Sequence, residues 1–390
     1  MARTAHGVGV YLAVLQFFFA LTWTVYVIFL PKLAIQAGIG KQYIVFILLA
    51  DQIIFTVTDW AMGVWADRVA RTVGRLGRAV ALVTGLSCLA FLLLPFIAPA
   101  AGPAALLALT FIWTATSSAL RAPPLVLLGK YAAAPSRVWL SSLYLFGLGL
   151  AGAVAPYLTL ALREADPRWP FALSSIAVLA VALGLARAER ALVSGADAVP
   201  AMPVRSKPAL VAFLAGLAFA GIGFQIHFSL NAAPAYLKFA KPADLEHLMP
   251  VFWIGFNLLV LPATVAVQRF GGAPVMAAGA LVGAAAAWAA SQAAILSSLV
   301  AAQFIAGAAW GGMLMGAVSA ALAIGHTGAE GKVSGAAFSM LALTAAARIA
   351  MVASQLNQAP GVAPLLGAAP ILAWLIAAFL LGWAARLRGG

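Results

Sequence analysis

Residues 51–78 read DQIIFTVTDWAMGVWADRVARTVGRLGR. An apolar helix carrying two carboxylates, Asp51 and Asp59, closes on Gly63-Val-Trp-Ala-Asp67-Arg68. A tight basic run follows at Arg68, Arg71, Arg75 and Arg78. Such density of charge is exceptional here. Only 8% of the 390 residues are charged, against about 25% in a soluble domain. With 64% hydrophobic residues and a mean hydropathy of +1.04, no soluble fold has interior enough for this chain.

Working outward, apolar runs of ~20 residues recur along the whole sequence, the length of an α-helical span, and the ~10-residue alternating segments of a membrane barrel do not occur. The reading is an all-α polytopic membrane protein. About twelve runs fit the ~30 Å hydrocarbon core: near 9–30, 43–66, 79–99, 103–131, 138–162, 171–185, 208–233, 251–268, 274–294, 296–324, 333–355 and 364–385. A polar linker at 189–207, with Glu189, Arg190, Asp197, Pro200 and Pro203, separates an N-terminal half at 1–188 from a C-terminal half at 208–390.

The net charge of +13 does not point to nucleic acid, because Arg and Lys sit in short clusters between apolar runs and no basic face with interleaved aromatics exists. The clusters follow the positive-inside bias. Arg3, Arg68 to Arg78, Lys130, Arg137, the linker cations and Arg386 and Arg388 fall on one side, which makes both termini cytoplasmic. The first run is too long for a cleavable signal peptide. The single cysteine, Cys88, lies inside a span and provides no disulfide or cysteine-based metal site within one chain.

Gly63-x-x-x-Asp67-Arg68-x-x-Arg71, in the loop after the second of twelve spans, resembles motif A of the major facilitator superfamily. The usual pattern has Gly two residues after the Arg, where this chain has Ala70. Gln268-Arg269-Phe-Gly-Gly, after the second span of the second half, is a weak echo at the matching place. The resemblance implies two six-helix bundles that rock about a central cavity. Spans 1, 4, 7 and 10 would line the cavity, spans 2, 5, 8 and 11 would form the interface, and spans 3, 6, 9 and 12 would face lipid. As drawn, those last four spans carry no Asp, Glu, Lys, Arg or His, as the cost of burying charge in lipid requires. The resemblance also implies a role for Gly63, Asp67, Arg68 and Arg71. Asp67 would accept hydrogen bonds from the N-terminus of span 11, near Lys332–Ser334, and latch one state. The plainer alternative is that these charges only set topology.

The ionisable residues inside spans are the candidate site. Asp59 lies eight residues before Asp67 and Arg121 nine before Lys130, so both sit ~12 Å above the cytoplasmic edge. They are expected to pair, either as a proton-coupling element that breaks during transport or as a static ion pair. Pro123-Pro124 follow Arg121 and should bend the helix there. Asp51, in the outer half of span 2, is a second protonation candidate or a contact with exterior water. In span 7, Phe224, His227 and Asn231 are spaced to share a helical face, with Gln225 beside them; His227 binds substrate or simply hydrogen-bonds between helices. Arg348, near mid-membrane in span 11, has no acidic mate in its own half, and Asp51 or an anionic substrate is its expected partner. Trp23, Tyr26, Trp113, Tyr144, Trp253 and Trp310 are candidates to stack on a planar ligand or to pack. Gly147, Gly149 and Gly152 read as close helix packing.

The expected function is a secondary active transporter of the bacterial inner membrane, a monomer that moves a small organic solute of anionic or aromatic character, coupled to protons. Met313, Met315, His247 and Met249 raise the alternative of an importer of copper, and a faint likeness to superfamily branches that import copper or riboflavin extends this to a flavin-type cofactor. A membrane assembly factor with little turnover is the alternative from another class. No nucleophile–base pair, phosphate loop, resident metal site or cofactor site is evident, so an enzyme is not expected.

Overall fold

The structure is a computed structural model and describes residues 2–132, 134–193, 207–326 and 328–389. Asp197, Pro200, Pro203 and Arg205 lie outside the described residues. The long helices of the first half are α1 (Ala2–Gln36), α2 (Ile44–Val69), α3 (Leu76–Ala101), α4 (Pro103–Ser117), α5 (Ala122–Tyr131), α6 (Ala134–Leu162), α7 (Arg168–Ala182) and α8 (Leu185–Val193). The second half holds α9 (Lys207–Ile226), α10 (Ala232–Tyr236), α11 (Leu245–Leu248), α12 (Pro250–Val260), α13 (Ala263–Phe270), α14 (Gly272–Ser291), α15 (Leu296–Ile324), α16 (Glu330–Ala353) and α17 (Ala369–Gly389). Among the described residues, 11 segments are long and apolar enough to cross a membrane. Pro242–Val260 with Ala263–Phe270, bent by 49°, makes a twelfth if taken together.

Several spans depart from their expected limits, each for a local reason. Proline has no N–H and is tolerated in the first turn of a helix. Pro123 and Pro124 therefore do not kink one helix. They sit in the first turn of α5, after a 3-10 turn at Ser118–Leu120 and a break at Arg121 (φ −98°, ψ −81°). Pro262 breaks the eighth span in the same way between α12 and α13. The seventh span carries one wide π-turn at His227–Asn231. The sixth continues into α8, so Glu189 and Arg190 are helical, and Glu189 is fully buried.

Packing follows the chain. α1 packs on α6 and α7, and α3 on α4 and α7. α9 packs on α16 and α17, and α14 on α15 and α17. The two groups meet along two seams, α2 with α16 and α6 with α12. Small residues make these seams tight, because lipid-embedded helices associate through close backbone approach. Cβ atoms at Gly149 and Gly152 would strike Phe256 and Trp253 across the α6–α12 seam, and one at Gly147 would strike Ala13 of α1. Leu82 of α3, Leu173 of α7 and Phe379 of α17 project outward from the bundle, and α15 is the most enclosed span.

Candidate functional site

The break at Arg121 is the centre of the N-terminal half of the site. Leu120 O would normally accept from residue 124, but Pro124 has no N–H. The Tyr144 hydroxyl, fully buried on α6, donates instead to Leu120 O (3.2 Å) and Arg121 O (3.1 Å). Arg121 is thereby held between α2 and α6, the helices of the two seams with the second half. Its Nη1 donates to Asp59 Oδ2 at 2.6 Å. Asp59 is fully buried, while the Arg121 side chain stays 25% exposed. The guanidinium lies 4.1 Å over the Phe55 ring. Beside the pair, Thr58 Oγ1 and Ser118 Oγ are hydrogen-bonded at 2.8 Å.

Asp51 is also fully buried. Tyr26 donates to its Oδ2 (2.7 Å) and Thr114 to its Oδ1 (2.9 Å). Its partners are neutral hydroxyls, and Arg348 is not among them, contrary to the expected cross-interface pair. Arg348 instead donates through Nε to Gln225 Oε1 at 2.8 Å, and Ser229 reaches the same oxygen at 3.4 Å. Arg348 lies 18 residues into α16, ~27 Å from its start at 1.5 Å per residue, and so towards the far end of that helix. Trp23 forms an aromatic wall with Trp113 (6.1 Å, stacked), Tyr26 (5.5 Å) and Phe55 (5.8 Å). Trp310 stacks flat on Phe224 at 4.5 Å.

The expected shared face of span 7 is formed only in part: Phe224 and His227 both lie against Phe252 (5.7 and 6.5 Å), whereas Asn231, past the π-turn at His227–Asn231, leaves it. An added residue in the π-turn rotates the rest of the helix. Phe224 turns to Trp310, Asn231 donates to Leu366 O (2.8 Å), and His227 is buried within the second half between Trp374 (5.4 Å) and Phe252 (6.5 Å). Met313 and Met315 are buried in α15, apart from His247, which lies beside Tyr157. Among the described residues no group of three His, Cys, Asp or Glu is placed to hold a metal ion.

At the linker end, Asp67 Oδ1 accepts from Gly331 N (2.7 Å) and Oδ2 from Lys332 N (2.8 Å). A carboxylate thus caps the positive end of α16 across the seam. Gly63 allows this approach. Arg68, Arg71, Arg75 and Arg78 are exposed, and the turn that carries them is held through its backbone. Glu189 accepts from Gly74 N (3.0 Å) and Gly77 N (2.8 Å), and Lys130 donates to Ala70 O.

Sequence comparison finds neither a matching family model nor a matching curated protein. Fold comparison is informative. The human organic anion transporter MFSD10 (TETRAN) matches with a TM-score of 0.69 at 17% identity, covering 97% of this chain and 99% of that one. A bacterial homologue of the iron transporter ferroportin in an outward-facing state gives 0.72 at 15% identity, with 97% and 99% covered. The major facilitator superfamily proton:xylose symporter XylE gives 0.67 at 11% identity, with 99% and 95% covered. This chain has the major facilitator superfamily fold.

Within the superfamily fold, several groups in the site have no sequence signal of their own. Tyr144 is one of many aromatics in apolar spans. Tyr26 and Thr114 come to Asp51 only through helix rotation. Glu189 reads as linker in the sequence. Only the tandem proline announces that a free carbonyl exists, and nothing in the sequence names its donor.

Proposed function

We propose that the chain is a secondary active transporter that moves a small organic solute by alternating access, with protons coupled through Asp59 and Asp51. The observation that carries this reading is the Asp59–Arg121 ion pair. It is buried on its acidic side, open on its basic side, and set at a helix break between the helices of the two seams with the other half. Broken helices at such depth commonly form transporter sites, and ion pairs inside membranes mark substrate or proton pathways. Fold neighbours that move organic anions or proton-linked sugars support it. The Asp67 cap on α16 closes the linker end of one state and must break in the other. In this reading the basic clusters mark that end as cytoplasmic under the positive-inside bias, the membrane is a bacterial inner membrane, and the working unit is a monomer. The aromatic walls and the cations Arg121 and Arg348 suit an anionic or aromatic solute, with Gln225 and Asn231 towards the far-side mouth.

Proteoliposomes with an imposed pH gradient test the reading. The expected result is gradient-driven accumulation of a solute that Asp59→Asn abolishes while counterflow persists. Full gradient-driven transport by Asp59→Asn removes Asp59 from coupling. Absence of counterflow for every solute, with tight co-purification of one partner complex, favours the assembly-factor reading.

A further inference from the structure

We infer that the Arg121 guanidinium is the seat for a carboxylate on the solute, and that Asp59 occupies this seat until the solute displaces it and then takes up the accompanying proton. This deepens the transporter reading and rests on it.

The first observation is an incomplete use of Arg121. A guanidinium has five N–H groups arranged as a fork that fits a carboxylate at two points. Here one nitrogen, Nη1, serves Asp59, and among the described residues the Arg121 side chain forms no other hydrogen bond. A single-point pair in a partly exposed position is easier to break than a two-point one. The Arg121 side chain keeps 25% of its surface exposed, whereas Asp59 is fully buried.

The second observation is the wall beside it. Arg121 stacks on Phe55 at 4.1 Å, Phe55 meets Trp23 edge-on at 5.8 Å, and Trp23 stacks on Trp113. Phe224 and Trp310 form a flat pair on the second half. Of these rings Trp23 and Phe224 are half-buried and present the surface that a flat apolar body would meet, while Phe55, Trp113 and Trp310 are buried behind them. A polyol would need many hydrogen-bonding groups, but the hydroxyls of Thr58 and Ser118 are bonded to each other and that of Tyr144 is bonded to the Leu120 and Arg121 carbonyls. A cationic solute would face the partly exposed guanidinium and find the buried carboxylate out of reach. The geometry therefore fits a carboxylate attached to a flat, apolar body.

The exchange balances. The solute enters as RCOO⁻ and takes the two-point site on Arg121. Asp59 is left buried without a counter-charge, and burying a lone carboxylate costs several kcal/mol, by roughly the margin that makes protonation favourable. One proton enters from solution onto Asp59. No bond other than O–H forms, and no oxidant or reductant is involved. The titratable groups around Asp59 are Arg121 and, from α6, Tyr144.

The test uses the purified full chain in nanodiscs with benzoate, phenylacetate and indole-3-acetate. Benzamide, benzylamine and glucose are the controls. Calorimetry in two buffers of different ionisation enthalpy reads affinity and proton uptake together. The expected result is carboxylate binding with uptake of about one proton per anion. Asp59→Asn should bind the same anion about tenfold tighter with no proton uptake, since the competitor is gone. Arg121→Gln should abolish binding, and Arg121→Lys, which keeps the charge and guards against misfolding, should weaken it. Three outcomes overturn the inference: none of the three carboxylates binds, Arg121→Gln binds as well as the native chain, or Asp59→Asn binds more weakly. Vesicle transport of a neutral or cationic solute without anion binding sinks this inference and leaves the transporter reading intact. Anion binding without transport does the reverse.

Discussion

Gly63 and Gly331 meet backbone to backbone across the two halves. A Cβ on Gly63 would fall 2.0 Å from Gly331 O, and one on Gly331 would fall 2.2 Å from Gly63 O. Neither neighbour is a flexible side-chain end, so any larger residue must push α2 and α16 apart. This contact sits one turn from the Asp67 cap, and the two act together. The glycines permit the approach and the carboxylate rewards it.

Gly63→Ala should therefore open the linker end. Asp67→Ala should do so through lost capping, worth about 1–2 kcal/mol, or roughly a fivefold to thirtyfold shift in the closed population. Asp67→Asn keeps one acceptor and should fall between. A cysteine at Ser334, buried near the start of α16, reports the change by its rate of maleimide labelling. Cys88 is buried and gives little background. Equal labelling of all variants would mean that the contact does not hold the halves together.

Glu189 caps the turn that carries the arginines. Its two oxygens take Gly74 N and Gly77 N, the second in the first turn of α3, where backbone N–H groups lack helical partners. Glu189→Ala leaves both without a side-chain acceptor, at about 1–3 kcal/mol for each group kept from water. Glu189→Gln restores one acceptor oxygen. Trypsin reads this directly, because Arg71 and Arg75 are exposed on the turn. Cleavage there should be fastest in Glu189→Ala, intermediate in Glu189→Gln and slowest in the native chain. A uniform rate would show that the turn is held by Lys130 and Tyr131 on Ala70 O alone.

Scarcity of charge decides how much of this is legible from the residues. Asp67, Arg121 and Asp59 stand out because a charge in an apolar span must be paired or wet, and their depths can be read from helix rise. The close packing at Gly147, Gly149 and Gly152 is legible for a similar reason, since a missing side chain implies a near neighbour. Rotation of each helix about its own axis is not legible. With apolar residues on every side, hydropathy carries no phase, so the sequence matches Asp51 to Arg348 when its partners are Tyr26 and Thr114. The π-turn at His227 has the same effect over a shorter distance, separating His227 from Asn231. Leu261-Pro262 could have announced the bend in the eighth span, by the reasoning used at Pro123-Pro124.

His326 lies between α15 and α16, outside the spans. Burial holds its imidazole below the usual value of 6.5, and Arg137 across the interface adds to this. Glu330 is 3.8 Å away, beyond hydrogen-bond distance. With the folded value depressed, the unfolded chain binds the proton first as pH falls. The contribution of His326 is thus complete above about 6.5 and is lost as pH drops towards the folded value. Thermal unfolding between pH 7.5 and 5.5 should show a steeper loss in the native chain than in His326→Asn. Identical slopes would place the acid sensitivity elsewhere.

The hydroxyl of Tyr144 replaces a donor that proline removed. Leu120 O has no helical partner because Pro124 has no N–H, and Tyr144 reaches it at 3.2 Å from α6. Tyr144→Phe should leave that carbonyl unsatisfied in a buried position, costing about 1–3 kcal/mol. It should also free Arg121, whose own carbonyl takes the same hydroxyl, and so weaken any ligand held there. Pro124→Ala alone should change little, because the carbonyl is already served. Combined with Tyr144→Phe, it returns a backbone donor within reach, so the double variant should unfold at a higher temperature than Tyr144→Phe alone. That sign of coupling is specific to a shared acceptor, since a simple packing defect at Tyr144 would add to the effect of Pro124→Ala instead of being relieved by it.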